Sequence, residues 1–267
     1  MIRKPAVSGQ FYPSDKRDLE ATIDGFKPKR NNKISAKGII LPHAGYAYSG
    51  RVAVETISRV LAKKKLILLG PNHTGLGEKF SLWGKGKWET PLASINIDEE
   101  LSKRILGTGS LIAEDKLAHQ HEHSLEVQLP ILYRFFGQFS FVPIACQQAS
   151  LANYRKVAAQ ICQAIKAQED EVLFIASTDL THYEPDITAR VKDRTVIEAI
   201  INLDEEELLN KVKAKGITMC GVAPVAILLC CLKAVGAKKA EVCLYQTSGD
   251  AGGDKTSVVG YVGMIIK

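Results

Sequence analysis

The sequence predicts an α/β fold, with one central mainly parallel or mixed sheet covered by helices on both faces. Three observations carry that prediction. Apolar runs of strand length, rich in Ile, Val and Leu, alternate with longer stretches of helical periodicity along the chain. Three of the runs stop at Pro, Gly or Ser and pass into polar residues, as buried strands do where they emerge at a sheet edge: Gly38–Pro42 leads to His43, Leu66–Pro71 to Asn72 and His73, and Glu171–Ser177 to Asp179 and His182. No repeat, low-complexity tract or linker divides the 267 residues, so a single domain over 1–267 is the economical reading.

In chain order, Asp18–Gly25 reads as a first helix and Lys37–Leu41 as a buried strand. Gly50–Lys63 follows as a helix, with Ala53, Ile57, Val60 and Leu61 forming its apolar stripe, and Lys65–Leu69 as the next strand. A right-handed crossover through that helix puts both strand ends on one sheet edge, so His43 and His73 are expected side by side. Ser94–Ile97 is a strand, and Glu99–Leu106 a helix opened by Asp98 and stopped by Gly107. Ser124–Phe136 reads as a helix capped by Ser124, kinked at Pro130 and stopped by Gly137. Phe139–Ile144 and Val172–Ala176 are strands flanking the helix Leu151–Ala167, for which Ser150 is the cap. Helices Thr188–Asn202, Glu205–Lys215 and Ala223–Val235 come next, the last two stopped by Gly216 and Gly236. Glu241–Gln246 and Val258–Ile266, joined by a Gly-rich turn, suit an antiparallel pair.

Composition narrows the function classes. Hydrophobic residues at 46% and charged residues at 24% are those of an ordinary soluble protein. The longest uncharged apolar run, Val222–Leu232, is too short for a membrane span, and Arg3, Lys4 and Pro5 are not followed by the apolar stretch of a signal peptide. A cytoplasmic location and no membrane partner are expected. The net charge of +6 gathers in a polar loop (Lys27, Lys29, Arg30, Lys33) and at the end of a helix (Lys63 to Lys65). Neither cluster interleaves aromatics with basic residues, so no nucleic-acid partner is expected. Six cysteines without a Cys-x-x-Cys pair do not make a disulfide framework. Cys146, Cys162, Cys230, Cys231 and Cys243 lie in apolar runs and read as packing residues.

Cys220 differs, because Thr218-Met219-Cys220-Gly221 stands just ahead of a helix, where a thiol is biased toward the thiolate that binds metals or attacks electrophiles. Asp179 and His182 are three apart, close enough for a carboxylate to orient an imidazole for proton transfer. An N-capping Asp and an exposed His is the plainer alternative. His119, His121 and His123 alternate and would share one face if extended, as in a metal site, but helical spacing follows at once. His119 and His121 are therefore expected in a polar loop, and His123 is kept for the pocket. Gly249–Ser257 ends like a phosphate loop yet lacks its spacing, which makes it a mobile turn near the last strands.

Six motifs in order, Pro5–Pro13, Pro42–Tyr46, Gly70–His73, Glu122–Glu126, Ser177–His182 and Cys220-Gly221, resemble those of the Memo (mediator of cell motility) family. The resemblance runs over nearly the whole chain. It implies a fold similar to class III extradiol dioxygenases, which are non-haem iron enzymes with a metal site at one edge of a mixed sheet. It also implies His43, His73 and Cys220 as metal ligands, with Asp179 and His182, the expected proton-transfer residues, in the pocket beside them. Tyr46 and Asn72, within those motifs, join His123 as expected lining of the substrate pocket. Iron(II) or copper is the implied cofactor, with zinc an alternative, since a thiolate in place of the dioxygenases' carboxylate is softer and can itself be oxidised. A redox enzyme acting on a small molecule, a peptide- or ligand-binding adaptor, and a cysteine hydrolase or transferase using Cys220 are three functions compatible with these residues. In prokaryotes the resemblance adds a radical SAM system as a partner.

Overall fold

The computed structural model describes residues 1–28 and 32–267, so Lys29 and Arg30 of the basic loop lie outside the described residues. The elements run Ile2–Arg3 (β1), Lys16–Gly25 (α1), Gly38–Leu41 (β2), Tyr46–Ser58 (α2), Lys65–Pro71 (β3), Phe80–Leu82 (β4), Lys87–Glu89 (β5) and Ser94–Ile97 (β6). Next come Glu99–Gly107 (α3), Ala113–Glu114 (β7), Leu117–Gln120 (α4), Gln128–Phe136 (α5), Ser140–Cys146 (β8), Leu151–Ile165 (α6) and Val172–Ser177 (β9). His182–Glu184 (β10), Asp186–Ile201 (α7), Glu205–Ala214 (α8), Val222–Ala234 (α9), Ala240–Thr247 (β11), Ser248–Gly252 (α10) and Val258–Ile266 (β12) complete the series.

Among the described residues twelve strands form one mixed sheet in the order β1-β5-β6-β8-β3-β9-β2-β12-β10, with β11 on β12, β4 on β8 and β7 on β4. The central β6, β8, β3, β9 and β2 are parallel, whereas β12 runs antiparallel to β2 and β11. Strand alternation sorts the core into two layers. Ile39, Leu41, Leu66 and Leu68 face Leu19, Ile23, Ile57 and Leu132 of α1, α2 and α5. Ile40, Ile67 and Leu69 face Tyr154, Ile161, Val196 and Leu228 of α6, α7 and α9. Helices thus cover both faces, and α9, buried from Val222 to Leu232, lies between sheet and outer helices. Among the described residues no helix is long and apolar enough to cross a membrane.

β9 pairs with both β2 and β3 and lies between them. Several expectations are corrected. Helix α2 covers Tyr46–Ser58 and not Gly50–Lys63: beyond it, Leu61 donates to the Ile34 carbonyl and Ile34 to that of Arg59, so this stretch is extended and paired. Lys63 to Lys65 therefore close no helix, and Lys65 starts β3 beside Glu171 at 2.9 Å. Helix α5 begins at Gln128, four residues late, and Ser124 does not cap it but donates to the Pro71 carbonyl. Pro130 then falls in the first turn, where its missing N–H costs nothing, so no kink is needed. Asp98 and Ser150 do cap their helices. The Gly-rich turn carries the short helix α10, closed by a capping box of Thr247 and Asp250.

Candidate metal centre

Polar residues follow the carboxyl ends of β2, β3 and β9, and these ends converge with the loop before α5 and the turn before α9. His43, His73 and His123 meet there, each offering a ring nitrogen within 4.8 Å of the other two. The His73 and His123 rings stack at 4.8 Å, and His43 stands edge-on to them at 5.2 and 5.4 Å. His43 is buried, while the His73 side chain is 34% exposed, which leaves one open approach.

The hydrogen-bond pattern sets which nitrogens are free. The Ser177 hydroxyl donates to the Ser124 carbonyl at 2.8 Å, so at 2.8 Å from His43 Nδ1 it accepts, and the His43 proton sits on Nδ1. Gln128 Nε2 donates to the same hydroxyl at 2.9 Å. Glu122 takes the His73 backbone N–H at 2.5 Å and the His73 Nδ1–H at 2.9 Å, and lies 3.5 Å from His123 Nδ1. The Nε2 lone pair of His73 is therefore free, and that of His43 faces the Cys220 sulfur at 3.2 Å. Imidazoles tied back through the other nitrogen are the usual form of metal-ligating His.

Electrostatics favours the neutral state for two of the three histidines. Burial, with the neighbouring His123 and His73, pushes His43 well below its usual range, and burial also lowers His123. Both are neutral, as a ligand must be. Burial opposes a charge on His73, but the Glu122 hydrogen bond and carboxylate outweigh it and raise that group. Burial likewise works against the Glu122 carboxylate, yet hydrogen bonding from His73 and the Ser124 N–H brings it down to about 2.

Asp179 and Cys220 stand on the other side of His43. Asp179 accepts the His43 backbone N–H at 2.8 Å, with its second oxygen 3.9 Å from His43 Nε2, and burial raises its carboxyl to about 7. Cys220 Sγ is 3.2 Å from His43 Nε2 and receives the Asp179 N–H at 3.3 Å. The thiolate expected of Cys220 is not favoured in the ion-free chain, because burial and then the Asp179 charge push the thiol up. Cys220 also lies two residues before α9, short of its N-terminal N–H groups. Gly221 follows because a Cβ there would come 2.3 Å from Thr178 Cβ and 2.5 Å from the Ser177 carbonyl oxygen.

Asp179 does not orient His182. His182 Nδ1 lies 2.7 Å from the Leu180 carbonyl and 2.9 Å from that of Thr218, which makes Nδ1 the donor and leaves Nε2 free. Burial lowers its pKa, so it is neutral at neutral pH. Two expected pocket residues serve the scaffold instead. Tyr46 is buried and donates to the Val127 carbonyl at 2.6 Å, and the Asn72 side chain closes its own turn through Leu76, Thr74 and Gly75. His119 is no loop residue: it is fully buried, 2.9 Å from the Ser81 carbonyl and beside Trp88, with burial taking it down to about 4. Glu122, Ser177 and Gln128 belong to the hydrogen-bonded surround of these histidines though sequence reasoning assigned them no role, and the one available signal was a carboxylate directly preceding His123.

The profile of the Memo-like protein family matches residues 3–265. A MEMO1 family protein of Aquifex aeolicus is 42% identical over 268 residues, covering 99% of this chain and 98% of its own. One from Methanopyrus kandleri is 40% identical over 282 residues, covering 100% and 99%. The crystal structure of an uncharacterized protein from Escherichia coli overlays with a TM-score of 0.57 at 13% identity, covering 85% of this chain and 98% of that one, a likeness of fold alone.

Proposed function

This chain belongs to the Memo family, and from that premise we propose that it is a metal-dependent redox enzyme which holds one iron(II) or copper ion on His43, His73 and His123 and acts on a small polar substrate. The observation that carries the reading is the convergence of three imidazoles from separate elements, two of them with Nδ1 tied back so that Nε2 is the nitrogen left for a metal. When bound, such an ion supplies an electrophilic, redox-active position.

The chain's own residues divide the remaining work. Glu122 orients His73 and faces His123, and Ser177 fixes the tautomer of His43. Cys220, beside His43, is a further donor, and its softness favours copper or zinc over iron(II). Asp179, with a carboxyl near neutrality, holds or releases a proton beside His43. His182 offers a second proton acceptor at Nε2, aimed by two backbone carbonyls and outside the three-His group. Loading the metal-free protein separately with iron(II), copper and zinc, then cycling it between oxidation and reduction, tests the reading. Retention of iron or copper through both states is expected. A protein that holds zinc alone, or releases iron and copper on every cycle, contradicts a redox role.

A further inference from the structure

Two stretches of the chain more than a hundred residues apart meet at one buried carboxylate. Glu126, fully buried, accepts from the backbone N–H of Ala6 at 2.7 Å and of Val7 at 3.0 Å, from the Tyr12 hydroxyl at 2.7 Å and from Arg3 Nη1 at 2.6 Å. Arg3, 3% exposed and lying over the Trp88 ring at 4.1 Å, also donates to the carbonyls of His119 at 2.8 Å and Glu122 at 2.7 Å. The same N-terminal stretch sets Phe11 against the His123 ring at 4.7 Å.

A buried ion pair is weak evidence for stability, because desolvation offsets most of the attraction. Its geometry is more informative. Arg3 spans a segment from His119 to Glu126 that is largely irregular, and that segment carries Glu122 and His123. A planar guanidinium with fixed donor directions can hold a carboxylate and two carbonyls at once. We infer that the buried Arg3–Glu126 pair, with the N-terminal stretch it anchors, is a positioning device that holds Glu122 and His123 against His73. This rests on the metal centre proposed above.

The test uses the full chain with Arg3→Met, Arg3→Lys and Glu126→Gln, and with Lys4→Met as a control, since Lys4 makes an exposed pair with Glu89. Hydrogen exchange of residues 117–128 in metal-free protein and titration with copper are the two readouts. In folded Arg3→Met, exchange of this segment should rise about 10-fold or more relative to β3. Its copper affinity should fall about 10- to 100-fold, as when other partners that orient ligands are lost. Arg3→Lys should recover part of both, and Lys4→Met neither gain nor lose. Should Arg3→Met not fold, Glu126→Gln, which keeps the shape, carries the same two readouts. Parental exchange or parental affinity in the folded variants overturns the inference. A parent that takes up neither copper nor iron(II) sinks the metal centre itself, and the exchange measurement then decides alone whether the clamp exists.

Discussion

At the scale of single residues, the site turns on which groups are tied and which are free. His182 is aimed by carbonyls of Leu180 and Thr218 and lies outside the three-His group, so His182→Ala is expected to keep parental metal affinity while His73→Ala loses it. Equilibrium dialysis against copper compares the two, and equal losses would bring His182 into the coordination sphere. Cysteine reactivity should run against a reading based on helix position. Both Cys162 and Cys220 are partly exposed, but hydrogen bonding with Cys231 lowers the Cys162 pKa, whereas burial and then the Asp179 charge raise the Cys220 thiol. Brief alkylation of metal-free protein followed by mass spectrometry should label Cys162 before Cys220. The reverse order would mean that the Cys220 turn opens in solution.

At the scale of elements, the strand ends and caps do most of the placing. Helix α9 presents apolar residues on every side, and Leu228→Ala there should cost about 2–5 kcal/mol by urea denaturation, because α6, α8 and the sheet leave little room for collapse. Asp98→Ala should cost about 1 kcal/mol, since its carboxylate receives the Leu101 N–H at 3.0 Å and the Ser140 hydroxyl at 3.0 Å. Element identity was largely legible in the sequence, because apolar periodicity and breaker residues are local. Where helices were misjudged the cause was a distant partner: Ile34 holds the chain beyond α2 extended, and the Pro71 carbonyl occupies Ser124. His43, His73, Asp179 and His182 stood out in the sequence because each follows a buried strand, and the structure brings His43 and His73 together with His123. His123 was placed only in the pocket, since nothing local shows that Glu122 folds back on His73.

At the scale of the whole molecule, strand order decides the site, and strand order is non-local. Inserting β9 between β2 and β3 brings Ser177 and Asp179 against His43, a contact that neither sequence spacing nor a simple crossover foretells. The β11–β12 end of the sheet is tied by a second polar group, in which Asp186 accepts from Arg190 at 2.8 Å and Thr247 at 2.6 Å, and Arg190 reaches Asp250 at 2.7 Å. The hydrogen bond from Arg190 outweighs burial and lowers the Asp186 pKa below 3.8. The unfolded chain thus binds this proton more readily, so the stability Asp186 contributes is complete above the unfolded value and lost as pH falls through the folded one. Asp186→Asn should flatten the loss of stability as pH falls below about 4, which urea titrations at several pH values would show; an unchanged slope would remove Asp186 from acid unfolding. The central claim, a mononuclear centre on His43, His73 and His123, is met most directly by the metal-to-protein ratio of untagged protein purified anaerobically, measured for the parent and for folded His123→Ala. The account predicts about one iron or copper per parental chain and a ratio near zero for His123→Ala after dialysis. A parent without metal, or a His123→Ala protein that keeps the parental ratio, would contradict it.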